Sequence, residues 1–241
     1  MLYGIIGYPL THSFSPEYFK KKFHTQQVNA SYETFAIEDI SRFPALLKEH
    51  ADLKGVNVTI PYKESIISYL DETDAVATEI GAVNCITISN GSTKGYNTDA
   101  GAFEKSLRPL LKPHHEKALV LGTGGASKAV IYTLKALNIP YLLVSRGIKP
   151  GVITYGDLTG DIVKEHKLII NTTPLGLYPN SDSYPPISYN KIGMQHLLFD
   201  LIYNPTETRF LTLGRAHGAT IKNGVEMLEL QADASWEIWN R

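Results

Sequence analysis

Cysteine is almost missing from this chain: Cys85 is the one example in 241 residues. An internal disulfide and a thiolate metal site are both excluded by that count, and a reducing compartment fits. Long hydrophobic runs are missing as well. No stretch approaches the ~18 apolar residues that a membrane helix needs. The opening MLYGIIGYPL lacks a basic start, a long apolar run and a small-residue cleavage site, so it does not read as a signal peptide. The expected location is the cytoplasm. A surplus of positive charge is missing too, with 23 Lys and Arg against 24 Asp and Glu and a formal net charge of −1. Without a basic stripe to neutralise phosphates, nucleic acid is not an expected partner. No internal repeat or low-complexity tract interrupts the chain.

What is present is ordinary for a globular protein: 43% hydrophobic and 20% charged residues. A short buried strand is predicted at Leu2–Ile6, then a loop to Ser15. Ser15-Pro16 should open a helix, with the serine as cap and the proline in the first turn, running to about Gln27. Tyr32–Ala36 reads as a strand and 44–50 as a helix. Gly55–Ile60 alternates apolar and polar residues as a strand does. Pro61 should open another helix reaching about Leu70. Residues 82–96 read as a hairpin turning at Asn90-Gly91. A second unit begins near residue 102 with a linking helix to Leu111. The stretch 117–122 is a buried strand, and a helix follows with Ala126, Ala129, Val130, Thr133, Leu134 and Leu137 on one face. Further strands are predicted at Tyr141–Val144, Leu168–Ile170 and Leu197–Leu201. A last helix covers about 225–239, wet at Glu226, Glu229, Asp233 and Glu237 and dry at Leu228, Ala232, Trp236 and Trp239. Strands alternating with helices imply an α/β fold with a doubly wound parallel sheet.

The turn Gly122-Thr123-Gly124-Gly125 sits between a strand and a helix, the context in which such a motif holds a dinucleotide. Gly122 permits the tight turn and Gly124 the close approach of a pyrophosphate. The helix N-terminus, at Gly125 and Ala126, adds free N–H groups and positive dipole charge. Ser127 stands where a third glycine or alanine is usual. The next strand ends Val144-Ser145-Arg146, with no acid to bond ribose hydroxyls. Arg146 can pair with a 2′-phosphate and stack on adenine, and Lys149 adds charge, so NADP is favoured. Taken singly, Arg146 would more often be a solvated surface residue.

The first unit carries a set of polar positions with respectable plain readings. Asn57 and Thr59 share one face of a strand, opposite Val56, Val58 and Ile60. Lys63 falls in the first turn of the predicted helix, at the unfavourable end of its dipole. Asp99 and Ser15 could be caps, Ser13 a loop residue, Asn84 a hairpin residue satisfying backbone, and Gln231 a core amide. Together they make a set rich in hydroxyl-binding groups, suited to a small polyol acid.

Those residues also carry a resemblance. The opening segment 7–16, GVNVTIPYK at 55–63, GAVNCI at 81–86, YNTD at 96–99, GTGGASKAV at 122–130, NTTPLG at 171–176 and GVEMLELQA at 224–232 occur in the order found in shikimate dehydrogenases. The chain resembles that family over nearly its whole length. The resemblance implies a substrate-binding α/β domain at 1–101, a Rossmann-like NADP-binding domain at 102–223, and a C-terminal helix, 224–241, returning to the first. It implies that Ser13 and Ser15 bind the substrate carboxylate. Asn57, Thr59, Asn84 and Gln231 would surround the ring hydroxyls, with Tyr203 close by. Lys63 and Asp99 would be the catalytic pair. Along the nucleotide it adds Thr172, Leu201 and Gly224 to Gly122, Gly124, Gly125, Ala126, Ser127, Ser145, Arg146 and Lys149. The implied activity is reversible reduction of 3-dehydroshikimate to shikimate with NADPH, in aromatic amino-acid biosynthesis, by a monomer or homodimer. Three places depart from the family pattern. Ala100-Gly101-Ala102 follows YNTD where glycines usually take the first and third places. SRG stands where NRT is usual. Only the 22 residues 147–168 separate Arg146 from Ile169, too few for a full helix with its connections, so the wall near 147–160 is expected to be trimmed.

Ketone reduction leaves negative charge on oxygen, which a lysine at Lys63 can stabilise and protonate. The reverse reaction needs a base and should quicken at raised pH. Two rivals stand beside this reading: a quinate or quinate/shikimate dehydrogenase using NAD or NADP, and a nonenzymatic NADP-binding regulator on the same fold. Retention of both Lys63 and Asp99 argues against the regulator.

Overall fold

The computed structural model describes residues 1–10 and 14–241. It divides into two compact units: Met1–Asp99 with Gln231–Arg241, and Ala100–Leu230.

In the first unit, β1 (Leu2–Gly7) leads through α1 (Ser15–Thr25) to β2 (Ser31–Ala36), then through α2 (Phe43–Glu49) to β3 (Leu53–Val58). A short β4 (Glu72–Thr73) and α3 (Ala75–Ile80) precede the hairpin of β5 (Cys85–Ser89) and β6 (Ser92–Tyr96). The strand order is β2-β1-β3-β5-β6-β4. The pairs of β1 with β2 and β3 are parallel, while β5 runs antiparallel to both β3 and β6. β1 is buried along its whole length, as a central strand covered on both faces must be. The hairpin turns at Asn90-Gly91, both with positive φ, the geometry that this dipeptide favours.

One face of the sheet packs Ile6, Phe43, Val56, Val58, Ile66 and Ile86. Tyr3, Phe19, Phe23 and Ala232 form a separate cluster with Trp236 and Trp239. Each such side chain contributes roughly 1.5–3 kcal/mol when fully buried, which fastens the end of the chain to this unit. Trp239 also donates its indole N–H to the Ile86 carbonyl at 2.9 Å.

Three expectations fail here. Ser15 is the first residue of α1 rather than its cap, and Phe14 before it makes no side-chain cap. β3 ends at Val58, and Ile60 is 69% exposed rather than part of a buried face. No α-helix follows Pro61; a 3₁₀ turn begins only at Ser65. The Lys63 carbonyl, which a helix would use internally, accepts instead from Val83 N–H at 2.7 Å. Lys63 therefore lies in a turn, and the helix-dipole argument does not apply to it.

The second unit opens with α4 (Asp99–Leu107), whose first residue closes the first unit. It continues β7 (Ala118–Leu121), α5 (Gly125–Ala136), β8 (Tyr141–Ser145), β9 (Val152–Thr154), α6 (Gly160–Glu165), β10 (Leu168–Asn171), β11 (Leu197–Asp200), α7 (Arg209–Ala216) and β12 (Thr220–Lys222). The final helix, α8 (Val225–Trp239), is shared, its residues from Gln231 onward belonging to the first unit. All neighbours are parallel, in the order β12-β11-β10-β7-β8-β9. This is the doubly wound order of dinucleotide-binding sheets. Alternation explains the two covered faces. Along β7, Ala118 and Val120 pack with Phe103, Val130 and Phe199, while Leu119 and Leu121 pack with Val163, Leu198 and Phe210. The wall after β8 is indeed short: six residues, 146–151, separate β8 from β9, and α6 has six residues. Among the described residues, no helix is long and apolar enough to cross a membrane.

Candidate active site

Lys63 and Asp99 lie together in the first unit. Lys63 Nζ donates to Asp99 Oδ2 at 2.6 Å, with side chains 18% and 9% exposed. A pair so enclosed is screened far less than a surface pair, and its charge-assisted hydrogen bond belongs to the stronger class. Asp99 opens α4, where a negative charge is favoured. Its other oxygen accepts from Asn84 Nδ2 at 2.9 Å. The aspartate is thereby held at both oxygens, by a residue before β5 and by the turn that carries Lys63.

Asn84 is more than a hairpin residue satisfying backbone. Its Oδ1 accepts from Thr98 N–H at 2.7 Å, and its amide nitrogen reaches Thr98 Oγ1 at 2.9 Å and Gln231 Oε1 at 3.4 Å. Gln231, on α8, is buried. Asn57 is buried on β3 and donates to the Asn84 carbonyl at 3.2 Å and to Ser235 Oγ at 2.9 Å. It accepts at Oδ1 from Tyr32 at 2.8 Å. Ser15 is buried at the start of α1. Burial drives the Tyr32 hydroxyl's pKa well above the tyrosine range, and Ser15 opposes the shift. Thr59 lies just past β3, its N–H on the Ile6 carbonyl at 2.9 Å. Ser13 lies outside the described residues.

Three members of this cluster escape the sequence reading: Tyr32, Thr98 and Ser235. Thr98 lies inside the YNTD segment and Ser235 one helical turn after Gln231, so both had a positional signal. Tyr32 had none beyond its strand. Cys85, next to Asn84, is fully buried, and burial pushes its thiol up to about 12. It is therefore a packing residue rather than a nucleophile.

The second unit gathers the other predicted positions at the carboxyl ends of its strands. Gly122 follows β7 with φ +111°, and a Cβ there would stand 2.6 Å from Thr172 Oγ1. Only glycine suits both demands. Thr172 follows β10 and donates its hydroxyl to the Leu121 carbonyl at 2.8 Å, tying the two strand ends at the point where the sheet order reverses. Gly124 precedes α5, and nothing would crowd a Cβ on it. Ser127, at the unusual third position, is buried and donates to the Gly124 carbonyl at 2.6 Å, closing the turn. Ala126 lies within the first turn of α5, whose N-terminus presents the backbone donors. Gly224 approaches the Leu201 carbonyl so closely that a Cβ would lie 2.1 Å from that oxygen. Tyr203 belongs to the same segment, and burial raises its hydroxyl pKa. Ser145 is buried and bonds the Gly147 carbonyl. Arg146 and Lys149 are exposed. Lys149 reaches back to Thr123 Oγ1 at 2.9 Å, which joins the short loop to the glycine turn.

The family is decided by comparison with known proteins. The profile of the shikimate dehydrogenase substrate binding domain matches residues 5–86. Shikimate dehydrogenase (NADP(+)) of Methanosphaera stadtmanae is 35% identical over 257 residues, covering 99% of this chain and 91% of that protein.

The chain belongs to the shikimate dehydrogenase family.

Solved structures agree. Shikimate dehydrogenase from Aquifex aeolicus is 34% identical with a TM-score of 0.89, covering all of this chain and 92% of the other. Shikimate 5-dehydrogenase from Thermus thermophilus, solved in complex with NADP(H) and shikimate, is 29% identical with a TM-score of 0.88, covering 99% and 93%.

Proposed function

We propose that this chain is an NADP-dependent shikimate dehydrogenase, reversibly reducing 3-dehydroshikimate to shikimate. The observation that carries the reading is the enclosed Lys63–Asp99 pair, braced by Asn84 and Gln231, in a chain whose relatives bear that activity in their names.

Lys63 and Asp99 are the proposed catalytic residues. Lys63 holds a proton at Nζ, close to the place of the ketone oxygen, and gives it to that oxygen as the alcohol forms. Asp99 keeps the ammonium oriented through its 2.6 Å charge-assisted bond. Asn57, Thr59, Asn84 and Gln231 offer amide and hydroxyl groups to the ring hydroxyls, and Ser13 and Ser15 to the carboxylate. Tyr203, a residue of the second unit, is proposed as a further substrate-binding residue.

The residues after β7, β8, β10 and β11 fit a phosphorylated dinucleotide: a glycine turn crowded at Gly122 and open at Gly124, and a helix N-terminus open to phosphate. NADPH, when bound, supplies the hydride. Gly122, Gly124, Gly125, Ala126, Ser127, Thr172, Leu201 and Gly224 would hold its pyrophosphate and nicotinamide portions. Ser145, Arg146 and Lys149 would hold the 2′-phosphate. We assign residues up to about 99, with the end of α8, to substrate and the second unit to cofactor. The proposal extends to a cytoplasmic enzyme acting on small molecules, as a monomer or homodimer.

The test is absorbance at 340 nm with shikimate or quinate and NADP or NAD in all four combinations. Shikimate with NADP should give the highest kcat/KM. Failure of every combination would overturn the proposal, and a quinate preference would move the chain to the quinate branch.

A further inference from the structure

Asp200 ends β11 and is completely buried. Among the described residues it forms no ion pair, and no neighbouring cation bears on it. Three donors converge on it instead. Asn171 Nδ2 donates to Oδ1 at 3.0 Å, Ile202 N–H donates to the same oxygen at 3.1 Å, and the Thr208 hydroxyl donates to Oδ2 at 2.5 Å. Burying a carboxyl without a cation is costly, and burial pushes its pKa up to about 7. An apolar residue would avoid that cost if packing alone were at stake.

The three donors lie at the segments that leave β10 and β11. Asn171, paired in register with Asp200, also accepts at Oδ1 from Thr173 N–H at 3.0 Å and its hydroxyl at 2.6 Å. It thereby fixes the chain on either side of Thr172. Ile202 holds Gly224 through a 2.9 Å bond from Gly224 N–H to its carbonyl. Leu201 is clasped between Asp200 and Ile202. Thr208 caps α7, receiving Leu211 N–H at 3.4 Å. The two segments also meet where Tyr178 N–H donates to the Asn204 carbonyl at 3.1 Å.

We infer that Asp200 is a positioning residue for the cofactor site, setting the segments that carry Thr172, Leu201 and Gly224 without touching the dinucleotide itself. This rests on the NADP reading given above. Asp200 bears on the Tyr189 hydroxyl, whose pKa is raised first by burial and which stays neutral.

The experiment compares Asp200→Ala, Asp200→Asn and Thr208→Val with wild type in two readouts: NADPH affinity by fluorescence, and steady-state KM for NADP and shikimate separately. Asp200→Ala strands three buried donors and should weaken NADPH binding about 10-fold or more. The KM for shikimate should change by less than about 3-fold, because all its proposed ligands except Tyr203 lie on other elements. Asp200→Asn keeps one acceptor oxygen and should recover affinity to within about 3-fold. If Asp200→Ala does not fold, Thr208→Val decides, with a weakening of about 3-fold or more expected from the loss of its bond to Asp200 together with the α7 cap. A folded Asp200→Ala with wild-type NADPH affinity overturns the inference, as does parallel loss of affinity for both substrates. Wild-type protein that binds no NADPH removes the functional reading itself, a different outcome from a variant that binds as well as wild type.

Discussion

The two ends of the proposed chemistry are built in opposite ways. The Lys63–Asp99 pair is enclosed, and Asp99 is held by Asn84, which is tied in turn to Thr98 after the hairpin and to Gln231 on α8. Arg146 and Lys149 stand exposed on a six-residue connection, with Thr123 as one anchor. Enclosed charges are preorganised and weakly screened, while exposed ones contribute ~0–1 kcal/mol and fade with salt. On the proposed assignment, the difference places the enclosed, braced groups where bonds change and leaves cofactor discrimination to exposed charges.

The largest expected effect is that of Lys63→Ala. It should lower turnover ~10²–10⁴-fold, the worth of a positioned acid, in assays at 340 nm. Near-normal turnover would reduce Lys63 to a structural residue. Asp99→Asn keeps the size of the side chain and removes its charge, so turnover should fall about 10²-fold; an unchanged rate would leave Asp99 as the start of α4 and no more. Ser235→Ala removes one of the bonds that orient Asn57, and should raise the KM for shikimate about 5-fold with kcat nearly unchanged. Equal losses in both constants would show that Ser235 does more than hold Asn57. Smaller again is Arg146→Ala, expected to raise the KM for NADP about 2–4-fold at low salt and less at high salt. A salt-independent effect would mean that the exposed grip is tighter than its surroundings suggest.

A last prediction concerns stability rather than turnover. Burial raises Asp200 from 3.8 to about 7. The native state then retains a proton that the unfolded chain releases near pH 4. The group's contribution is full below about pH 4, falls as pH rises to about 7, and is level above that. Urea denaturation of wild type and Asp200→Asn should show the variant gaining on wild type across that window. A difference that ignores pH would place Asp200 in an ordinary environment.

Much of this architecture was legible in residue order. The glycine turn between strand and helix, the Asn90-Gly91 hairpin and the apolar period of α5 are local signals, written within a dozen residues each. Lys63 shows where local reading stops. Pro61 looked like a helix start, but the Lys63 carbonyl is taken by Val83 N–H from a distant segment, and a tertiary bond overrode the local preference. The short edge strands β9 and β12 carry three residues each with intermediate or exposed burial, too few for alternation to register. The convergence of Tyr32, Asn57, Thr98 and Ser235 includes a bond between residues 178 positions apart, Asn57 and Ser235, and no spacing rule reaches that far. Family motifs supplied Asn57, Asn84 and Gln231 where physics alone left caps and core amides as equal readings.

The contrast between the two ends is tested most directly by one paired measurement: kcat and the KM for NADP of Lys63→Ala and Arg146→Ala, side by side, with shikimate saturating. The enclosed pair should govern kcat, so Lys63→Ala loses turnover by ~10² or more while its KM for NADP stays close to wild type. The exposed arginine should govern KM, so Arg146→Ala keeps its kcat. An Arg146→Ala variant that loses turnover as severely as Lys63→Ala, or a Lys63→Ala variant that turns over normally, would contradict the account.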